Sequence, residues 1–567
     1  MLGAALPPRR RDMTADKPAS FARAHVKVRC GRPVEGCHLR PSGLLKSQAG
    51  HEDGISLRWR WLRSRDPVAN CAAPGCPIAH DYDPVSAGRR SKKALQCAIC
   101  AREAKGDKNA PEPATFCSPA CFVAAWPAHK RSHKPPRERA ASNVSSELCA
   151  PSAGTSKDLV ESQTFLDDDK WECVGEETEY TPSREDIGRR LRVECLAMRT
   201  VNGEETLRAR GGVSTEPVLR SPSAPLSRQW LGESTEGQEA IRVCSYNVLA
   251  EIYATAHTYP YCPRWALDGG YRCSLVVQEL VDADADVICL QEAQRDAFEN
   301  FLEPFMKRAG YEALFTQKSR EAMGAAGKVD GCATFWKAQK FRVAEQRELR
   351  FNDLAYAEAR ANRMSERDEH AYLTRLVKDN VAQLLVLEDY PAPGRRSRRL
   401  VVANTHLYSH RDFPDAKLWQ SLMLIRQLDA FCNRQRETLP CIMAGDLNSG
   451  PDSSVYEFLA TQGVSRGHPD LAPRNITVLP DARQIAHRLP LASSYASVLG
   501  VEPDFTNLTQ QFRGTLDYIW YDSSALRCAA VAPVPPLEQL TRAGPALPSP
   551  QYPSDHVALI ADFVFLP

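Results

Sequence analysis

Residues 240–567 predict a mixed α/β or α+β domain, and three features of the sequence carry that prediction. Apolar runs of five to seven residues, such as Leu400-Val-Val-Ala and Gln383-Leu-Leu-Val-Leu-Glu, have the length and composition of buried strands. Leu418, Leu422, Ile425 and Leu428 recur at helical spacing instead. The two patterns alternate to the end of the chain, which describes sheets covered by helices in a domain large enough to hold a deep active site.

At 567 residues the chain is too long for one core, because domains run to roughly 100–200 residues. Lys+Arg 72 against Asp+Glu 70 leave a formal net charge of +2, so any attraction for a polyanion has to be local. No apolar run approaches the roughly 20 residues of a membrane-spanning helix. Residues 1–26 carry Arg9, Arg10 and Arg11 with no apolar core behind them, the pattern of a disordered tail or, alternatively, of a weak transit peptide.

Residues 27–96 read as a small Arg-rich β module in which Ile55–Leu62 turns Trp59 and Trp61 onto one face. The 19 cysteines fall into two groups. Cys244, Cys289, Cys332 and Cys441 sit in apolar runs, where cysteine behaves as a small buried hydrophobe. Cys97-x2-Cys100 and Cys117-x3-Cys121 instead have the spacing of two thiolate pairs that complete a tetrahedral Zn2+ site. With Trp126, His129 and His133 on a short basic helix they make residues 97–133 a metal-binding unit. Its Lys130, Arg131 and Lys134 suit either RNA or a solvated face. Residues 134–169 are a Ser-, Pro-, Glu- and Ala-rich linker. Residues 170–218 read as a second, immunoglobulin-like β module through Trp171-Glu-Cys173 and Gly188–Cys195, and 219–239 as a further linker. In the C-terminal half, 320–328, 352–378 and 394–399 read as polar loops, with Arg395–Arg399 a solvated hairpin tip.

Each main strand of that half ends in a polar residue that a core strand does not need. Asn247 ends Arg242–Asn247, Glu292 ends Asp286–Glu292, His406 ends Val401–His406, and Asp446 with Asn448 ends Ile442–Asn448. Asp517 lies within Thr515–Ile519, and Asp555-His556 stand just ahead of Val557–Ile560. One such residue is a cap or turn residue anywhere; six strand ends together describe a site. Oxygen donors such as Glu292, Asp446 and Asn448 suit Mg2+, a hard ion that binds through a few carboxylates plus substrate phosphate. An Asp beside a His, as Asp517 and His556 provide, orients and polarises the imidazole. The set points to metal-assisted attack of water on a phosphodiester, with metal and imidazole neutralising charge on the phosphoryl oxygens.

These residues occur in the order of the exonuclease–endonuclease–phosphatase superfamily. Five further stretches, Tyr261–Leu267, Asp330–Phe335, Arg375–Val381, Asp415–Trp419 and Phe505–Asn507, resemble its carbon catabolite repressor 4 type of deadenylase. The Cys/His segment resembles a MYND-type zinc finger, so the whole looks like the plant and algal form, without the leucine-rich repeats of the yeast and animal forms. The resemblance implies a four-layer sandwich, two packed mixed sheets flanked by helices, with two Mg2+ ions, removing poly(A) from mRNA 3′ ends as AMP. It implies Glu292 as principal ligand of one Mg2+ with Asn247 nearby, Asp446 holding the attacking water, and Asn448 orienting it and contacting the terminal nucleotide. His556 with Asp517 would act on the scissile phosphate and also counts among the implied Mg2+ ligands with Glu292, Asn247, Asp446, Asn448 and Asp555; His406 and Asp555 would complete the shell, and Phe512 would stack on adenine. Arg411 stands where animal members carry a proline five residues after the His406 equivalent. In the finger, Cys97, Cys100, Cys117 and Cys121 would share one Zn2+, while His129 and His133 lack a cysteine pair unless Cys71 and Cys76 supply it. The implied partners are poly(A) RNA, a CAF-type deadenylase docked on the finger and other CCR4-NOT subunits, with no membrane. The implied location is cytoplasmic, P-bodies included, with a nuclear pool. Two other readings stay open: a relative acting on small nucleotide phosphates, and an adaptor that works chiefly through its finger.

Overall fold

The computed structural model describes residues 25–30, 33–36, 39, 41–46, 55–65, 95–96, 115–116, 171–201, 204–221, 228–235, 239–319, 328–391, 394–433, 438–472 and 478–567. The zinc candidates Cys97, Cys100, Cys117, Cys121, His129 and His133, with Cys71 and Cys76, lie outside these residues, as do the linker 134–169 and residues 1–24. The chain divides into two compact units, 1–220 and 221–567.

In the first unit β1 (His25–Arg29) pairs with β2 (Ser42–Lys46). The strand β3 (Ile55–Ser64) follows, then the short pair β4 (Leu95–Gln96) and β5 (Thr115–Phe116). Three more strands, β6 (Trp171–Gly175), β7 (Arg190–Val201) and β8 (Glu204–Pro217), join β3 in one antiparallel sheet of order β6-β3-β7-β8. The stretches 27–96 and 170–218, read as separate modules, therefore share a sheet. The reason is burial: Trp61 is fully buried and packs with Leu191, Val193, Cys195 and Ala197 of β7, an apolar face that neither stretch covers alone.

The second unit is the predicted four-layer sandwich. Its seven-stranded sheet comprises β9 (Leu231–Gly232), β10 (Ile241–Asn247), β11 (Val287–Gln294), β12 (Tyr311–Gln317), β13 (Asp330–Lys337), β22 (Leu526–Ala532) and β23 (Leu559–Phe565), in the order β12-β13-β11-β10-β23-β22-β9. The six-stranded sheet has the order β14-β15-β16-β17-β21-β18, formed by β14 (Phe341–Arg350), β15 (Val381–Asp389), β16 (Arg399–His406), β17 (Cys441–Asp446), β18 (Leu491–Ser493) and β21 (Asp517–Asp522). A small hairpin, β19 (Asn507–Leu508) and β20 (Arg513–Gly514), stands apart from both. Alternation along the strands builds the layers: Ile442 and Ala444 face the other sheet, whereas Cys441 and Met443 face the outer helices. The helix α1 (Gly269–Ala283) covers Cys244, Ile288 and Leu290 on one side. On the other side lie α2 (Phe351–Ala361), α3 (Glu366–Leu376) and α4 (Pro414–Cys432). Leu422 of α4 is fully buried there, and truncating such a residue to alanine costs about 2–5 kcal/mol.

The helices α2 and α3 correct the reading of 352–378 as loop. Their apolar stripes are narrow, Phe351, Ala355 and Ala359 on one and Tyr372 and Leu376 on the other, amid charged residues. Tertiary packing on α4 and β15 completes them. The Arg395–Arg399 run does form the tip between β15 and β16, but it is ion-paired: Arg395 and Arg398 both engage Asp389 and Glu239, and Arg399 engages Glu388. All four strand cysteines read as buried hydrophobes are buried and free.

The topology also explains the polar strand ends. Parallel neighbours β10 and β11 are joined through α1, and parallel β16 and β17 through α4. Their C-terminal ends, carrying Asn247, Glu292, His406 and Asp446, therefore leave the sheets at one edge. The antiparallel strands β21 and β23 begin at that edge, so Asp517 heads β21 opposite Asp446 and Asp555-His556 lead into β23.

Candidate active site

Asn247, 1% exposed, is the centre of the site. Its Oδ1 accepts the Leu249 N–H at 3.0 Å, which turns its Nδ2 toward Asp446 Oδ2 at 3.0 Å and Glu292 Oε1 at 3.3 Å. His556 Nε2 lies 3.4 Å from the same Nδ2.

Asp446 is placed by close packing of the two parallel strands. A Cβ on Gly445 would meet the Thr405 carbonyl oxygen at 2.1 Å, so only glycine lets β17 lie against β16 at this point. Asp446 Oδ1 accepts the Asn448 N–H at 2.8 Å, and Oδ2 lies 3.5 Å from His406 Nε2 and 3.7 Å from His556 Nε2. Asn448 adopts a left-handed conformation, φ 48°, held from two directions. Its Nδ2 donates to the Leu407 carbonyl at 3.0 Å, and its own carbonyl accepts Lys417 Nζ at 2.6 Å.

Glu292 sits in a β-bulge of β11 with φ 55°, which takes its side chain out of the ladder. One carboxylate oxygen accepts the Ala250 N–H at 3.0 Å. Burial pushes its carboxyl up to about 7, and the charges of Asp330 and Asp555 add to that while Lys318 opposes it.

His556 Nδ1 donates to Asp517 Oδ2 at 2.8 Å, and the Thr506 hydroxyl donates to the same oxygen at 2.5 Å. Burial alone would lower the imidazole pKa, but Asp517, Asp555 and Asp446 outweigh it and hold His556 well above its ordinary value. Asp555 Oδ2 accepts the Tyr259 hydroxyl at 2.9 Å and Asn507 Nδ2 at 3.1 Å.

The structure thus brings Asn247, Glu292, His406, Asp446, Asn448, Asp517, Asp555 and His556 to one edge of the sandwich. Phe512 lies on the β19–β20 hairpin, which is tied to the site through Thr506 and Asn507; its ring is 45% exposed, so it is no core residue.

Several supporting residues come from stretches the sequence singled out without a role. Thr506 and Asn507 position Asp517 and Asp555, and Lys417 holds Asn448. Arg375 forms a two-point ion pair with Asp415, at 3.0 and 2.6 Å, joining two of those stretches beneath the site. Asn380 donates to the His406 carbonyl and accepts from Gln420. Lys318 pairs with Asp330 at 2.5 Å beside Glu292, and buried Arg272 ties the carbonyls of Val248, Leu249 and Pro553 together. Lys318 and Arg272 left no local signal in the sequence.

The donor set fits a divalent cation. Oxygens dominate it, and one oxygen each of Asp517 and Asp555 is buried with no hydrogen-bond partner among the described residues. Ligand atoms of Asp446, Asp517 and His556 all lie within 4.8 Å of one another. Crowded carboxylates that lift Glu292 are what a hard cation would relieve.

Comparison with known proteins agrees. The Endonuclease/Exonuclease/phosphatase family matches residues 244–556. Carbon catabolite repressor protein 4 homolog 1 of Arabidopsis thaliana is 31% identical over 94% of this chain and 96% of its own. CCR4-NOT transcription complex subunit 6-like-B of Xenopus laevis is 31% identical over 57% of this chain and 64% of its own. Finally, 2′,5′-phosphodiesterase 12 of Rattus norvegicus is 32% identical over 71% of this chain and 65% of its own. A site of this geometry, in a chain aligned almost end to end with a carbon catabolite repressor protein 4 homologue, belongs to the endonuclease/exonuclease/phosphatase family of divalent-metal nucleases and phosphodiesterases.

Proposed function

We propose that the protein is a Mg2+-dependent 3′-to-5′ exoribonuclease that shortens mRNA poly(A) tails, releasing AMP, as the catalytic subunit of a CCR4-NOT-type complex. The observation that carries the reading is the pairing of a phosphodiester-cleaving centre with an exposed aromatic ring on a hairpin anchored in that centre. Glu292, Asn247, Asp446, Asn448 and Asp555 are the residues that would hold Mg2+, as two ions, whose Lewis acidity neutralises the phosphoryl oxygens.

Asp446 takes the proton of the attacking water, which Asn448, fixed in its left-handed turn, orients. The bond from phosphorus to the 3′-oxygen of the preceding nucleotide breaks, that oxygen gains a proton, and AMP leaves. His556 appears both as a ligand and as a phosphate-stabilising group in the sequence-based set. Its raised pKa and its Nδ1 bond to Asp517 favour the second role, an imidazolium donating from Nε2 to the scissile phosphate. His406, close to Asp446, shares its negative charge. Phe512 stacks the terminal adenine, worth about 1–3 kcal/mol. Within the same reading, residues 97–133 bind Zn2+ and dock a CAF-type deadenylase.

The similarity to a 2′,5′-phosphodiesterase supports a second reading, in which short 2′,5′-linked oligoadenylates are the substrate. Rates of AMP release from 3′,5′-oligo(A), 2′,5′-oligo(A) and 3′,5′-oligo(U) separate the two. The proposal expects 3′,5′-oligo(A) to be fastest, and Phe512→Ala to cut its advantage over oligo(U) about tenfold. Preference for the 2′,5′ linkage overturns it.

A further inference from the structure

The hairpin that carries Phe512 contains a glycine that its own backbone does not require. Gly514 does not have a left-handed φ, so its conformation is open to other residues. What excludes a side chain there is the Phe512 ring. A Cβ on Gly514 would meet Phe512 Cζ at 2.8 Å, Cε1 at 3.3 Å and Cε2 at 3.6 Å, and these are its three nearest neighbours. Residues two apart on an extended chain point to one face, so Phe512 lays the far end of its ring in the place that a side chain at 514 would take.

That face looks toward the catalytic centre. Gly514 stands opposite Asn507 in the hairpin, and Asn507 in turn bridges to His556. Cross-strand partners share a face, and Asn507 Nδ2 donates to Asp555 Oδ2 at 3.1 Å. The seat of the ring is therefore two strand spacings, about 10 Å, from the His556 backbone. Backbone bonds fix both steps. The Thr506 N–H donates to the Gly514 carbonyl at 3.0 Å, the Leu508 N–H to the Asp555 carbonyl at 2.9 Å and the Val557 N–H to the Thr506 carbonyl at 2.8 Å. Arg513 turns to the other face, where it pairs with Asp504 at 3.2 Å and lies 4.9 Å over the Phe505 ring, so it does not compete for the seat.

Thr509 closes the turn around Phe512. Its N–H donates to the Phe512 carbonyl at 2.8 Å, and its hydroxyl accepts the N–H groups of Gln511 and Phe512 at 3.2 and 3.0 Å. An exposed aromatic on a loose turn has to be ordered each time a base stacks on it. A ring clamped at its backbone and seated at its far end has lost that freedom in advance, while enough of it stays exposed to meet a base.

We infer that Gly514 is a positioning residue for base selection: its missing side chain is the seat that holds the Phe512 ring ready for adenine. The inference rests on the reading of Phe512 as the adenine-stacking ring, and it adds that selectivity depends on where the ring is held as well as on its presence.

The test compares Gly514→Ala, Phe512→Ala and the double variant in the full chain. Each is assayed for kcat and KM on 3′,5′-oligo(A) and 3′,5′-oligo(U) with Mg2+, and for AMP and UMP affinity by calorimetry. In Gly514→Ala the added methyl displaces the end of a side chain and no backbone, so the melting temperature is expected to stay at the wild-type value. The oligo(A)-to-oligo(U) ratio of kcat/KM is expected to fall about fivefold, with kcat on oligo(U) within about twofold of wild type. In the Phe512→Ala background the same substitution changes nothing, because no ring is left to displace. An equal loss on both substrates, or a loss that persists without the ring, is a structural effect and overturns the inference. A wild-type ratio in Gly514→Ala beside a lowered ratio in Phe512→Ala overturns it alone. A wild-type ratio in Phe512→Ala removes adenine stacking itself and the seat with it. A wild type that binds AMP more tightly than UMP but releases none removes the catalytic reading only; the inference then stands if Gly514→Ala lowers that affinity ratio about fivefold and falls if it does not. If Gly514→Ala does not fold, Thr509→Val takes its place, keeping the shape but removing the hydroxyl that accepts the Phe512 N–H. A loss of about threefold in the same ratio is expected there, and an unchanged ratio overturns the inference.

Discussion

Lys417→Met removes the ammonium that holds the Asn448 carbonyl at 2.6 Å and thereby the left-handed turn that follows Asp446. A hydrogen bond to a charged group contributes about 1.5–3 kcal/mol. Left-handed backbone at a non-glycine residue costs about 1–2 kcal/mol, so once released the turn has a reason to relax. If that loss falls on the orientation of the attacking water, kcat drops about 10- to 150-fold, since each 1.36 kcal/mol is a factor of ten. Folding stability should change less than activity. Burial already holds the Lys417 ammonium below its ordinary pKa, and methionine is an unbranched side chain of similar length without a charge to desolvate. The assay is steady-state AMP release from oligo(A) with Mg2+, fitted for kcat and KM separately. A kcat within about twofold of wild type, with an unchanged melting temperature, would refute the positioning argument.

Asp517→Asn keeps the shape beside His556 but removes the charge chiefly responsible for raising the imidazole pKa. It is expected to lower kcat about 10²- to 10⁴-fold and to move the alkaline limb of the pH–rate profile to lower pH; an unmoved limb would argue against a protonated His556. Glu279 on α1 lies away from the site, and burial raises its carboxyl to about 7, against Arg228 and a Tyr246 hydrogen bond. Its folded pKa exceeds the unfolded value near 4.5, so stability falls as pH rises between about 4.5 and 7 and the penalty is complete above that. Glu279→Gln should therefore stabilise the protein by up to about 3 kcal/mol at pH 8 and by little at pH 4.5, measured by denaturant unfolding at both.

The second unit's fold was legible because its strands are buried on both faces. Every residue of Val381–Asp389 is buried, and its centre, Leu384-Leu-Val-Leu387, is an unbroken apolar run; the polar residues at the ends of β10, β16 and β17 interrupt such runs where nothing structural requires it. The helices α2 and α3 were not legible, since their short, charged sequences bury only a narrow stripe and take their stability from α4. Likewise the sheet shared by β3 and β6–β8 joins segments more than a hundred residues apart, with Arg63 and Glu172 separated by 109. The same separation hid the supporting residues of the site. Arg272 braces the Pro553 carbonyl across 281 positions, a contact that topology creates and no local pattern announces. Thr506, only 11 residues from Asp517, lay inside a recognised stretch, yet its hydroxyl bond depends on a hairpin whose geometry the sequence did not reveal.

The most direct test of the account is AMP release from 3′,5′-oligo(A) by the purified full chain with Mg2+, after chelation, and after Mg2+ is restored, alongside Asp446→Ala and Glu292→Ala. The expected result is release that vanishes on chelation, returns with Mg2+, and falls at least about 10³-fold in both variants. Release that survives chelation, or either variant turning over at the wild-type rate, would contradict metal-assisted hydrolysis at this site.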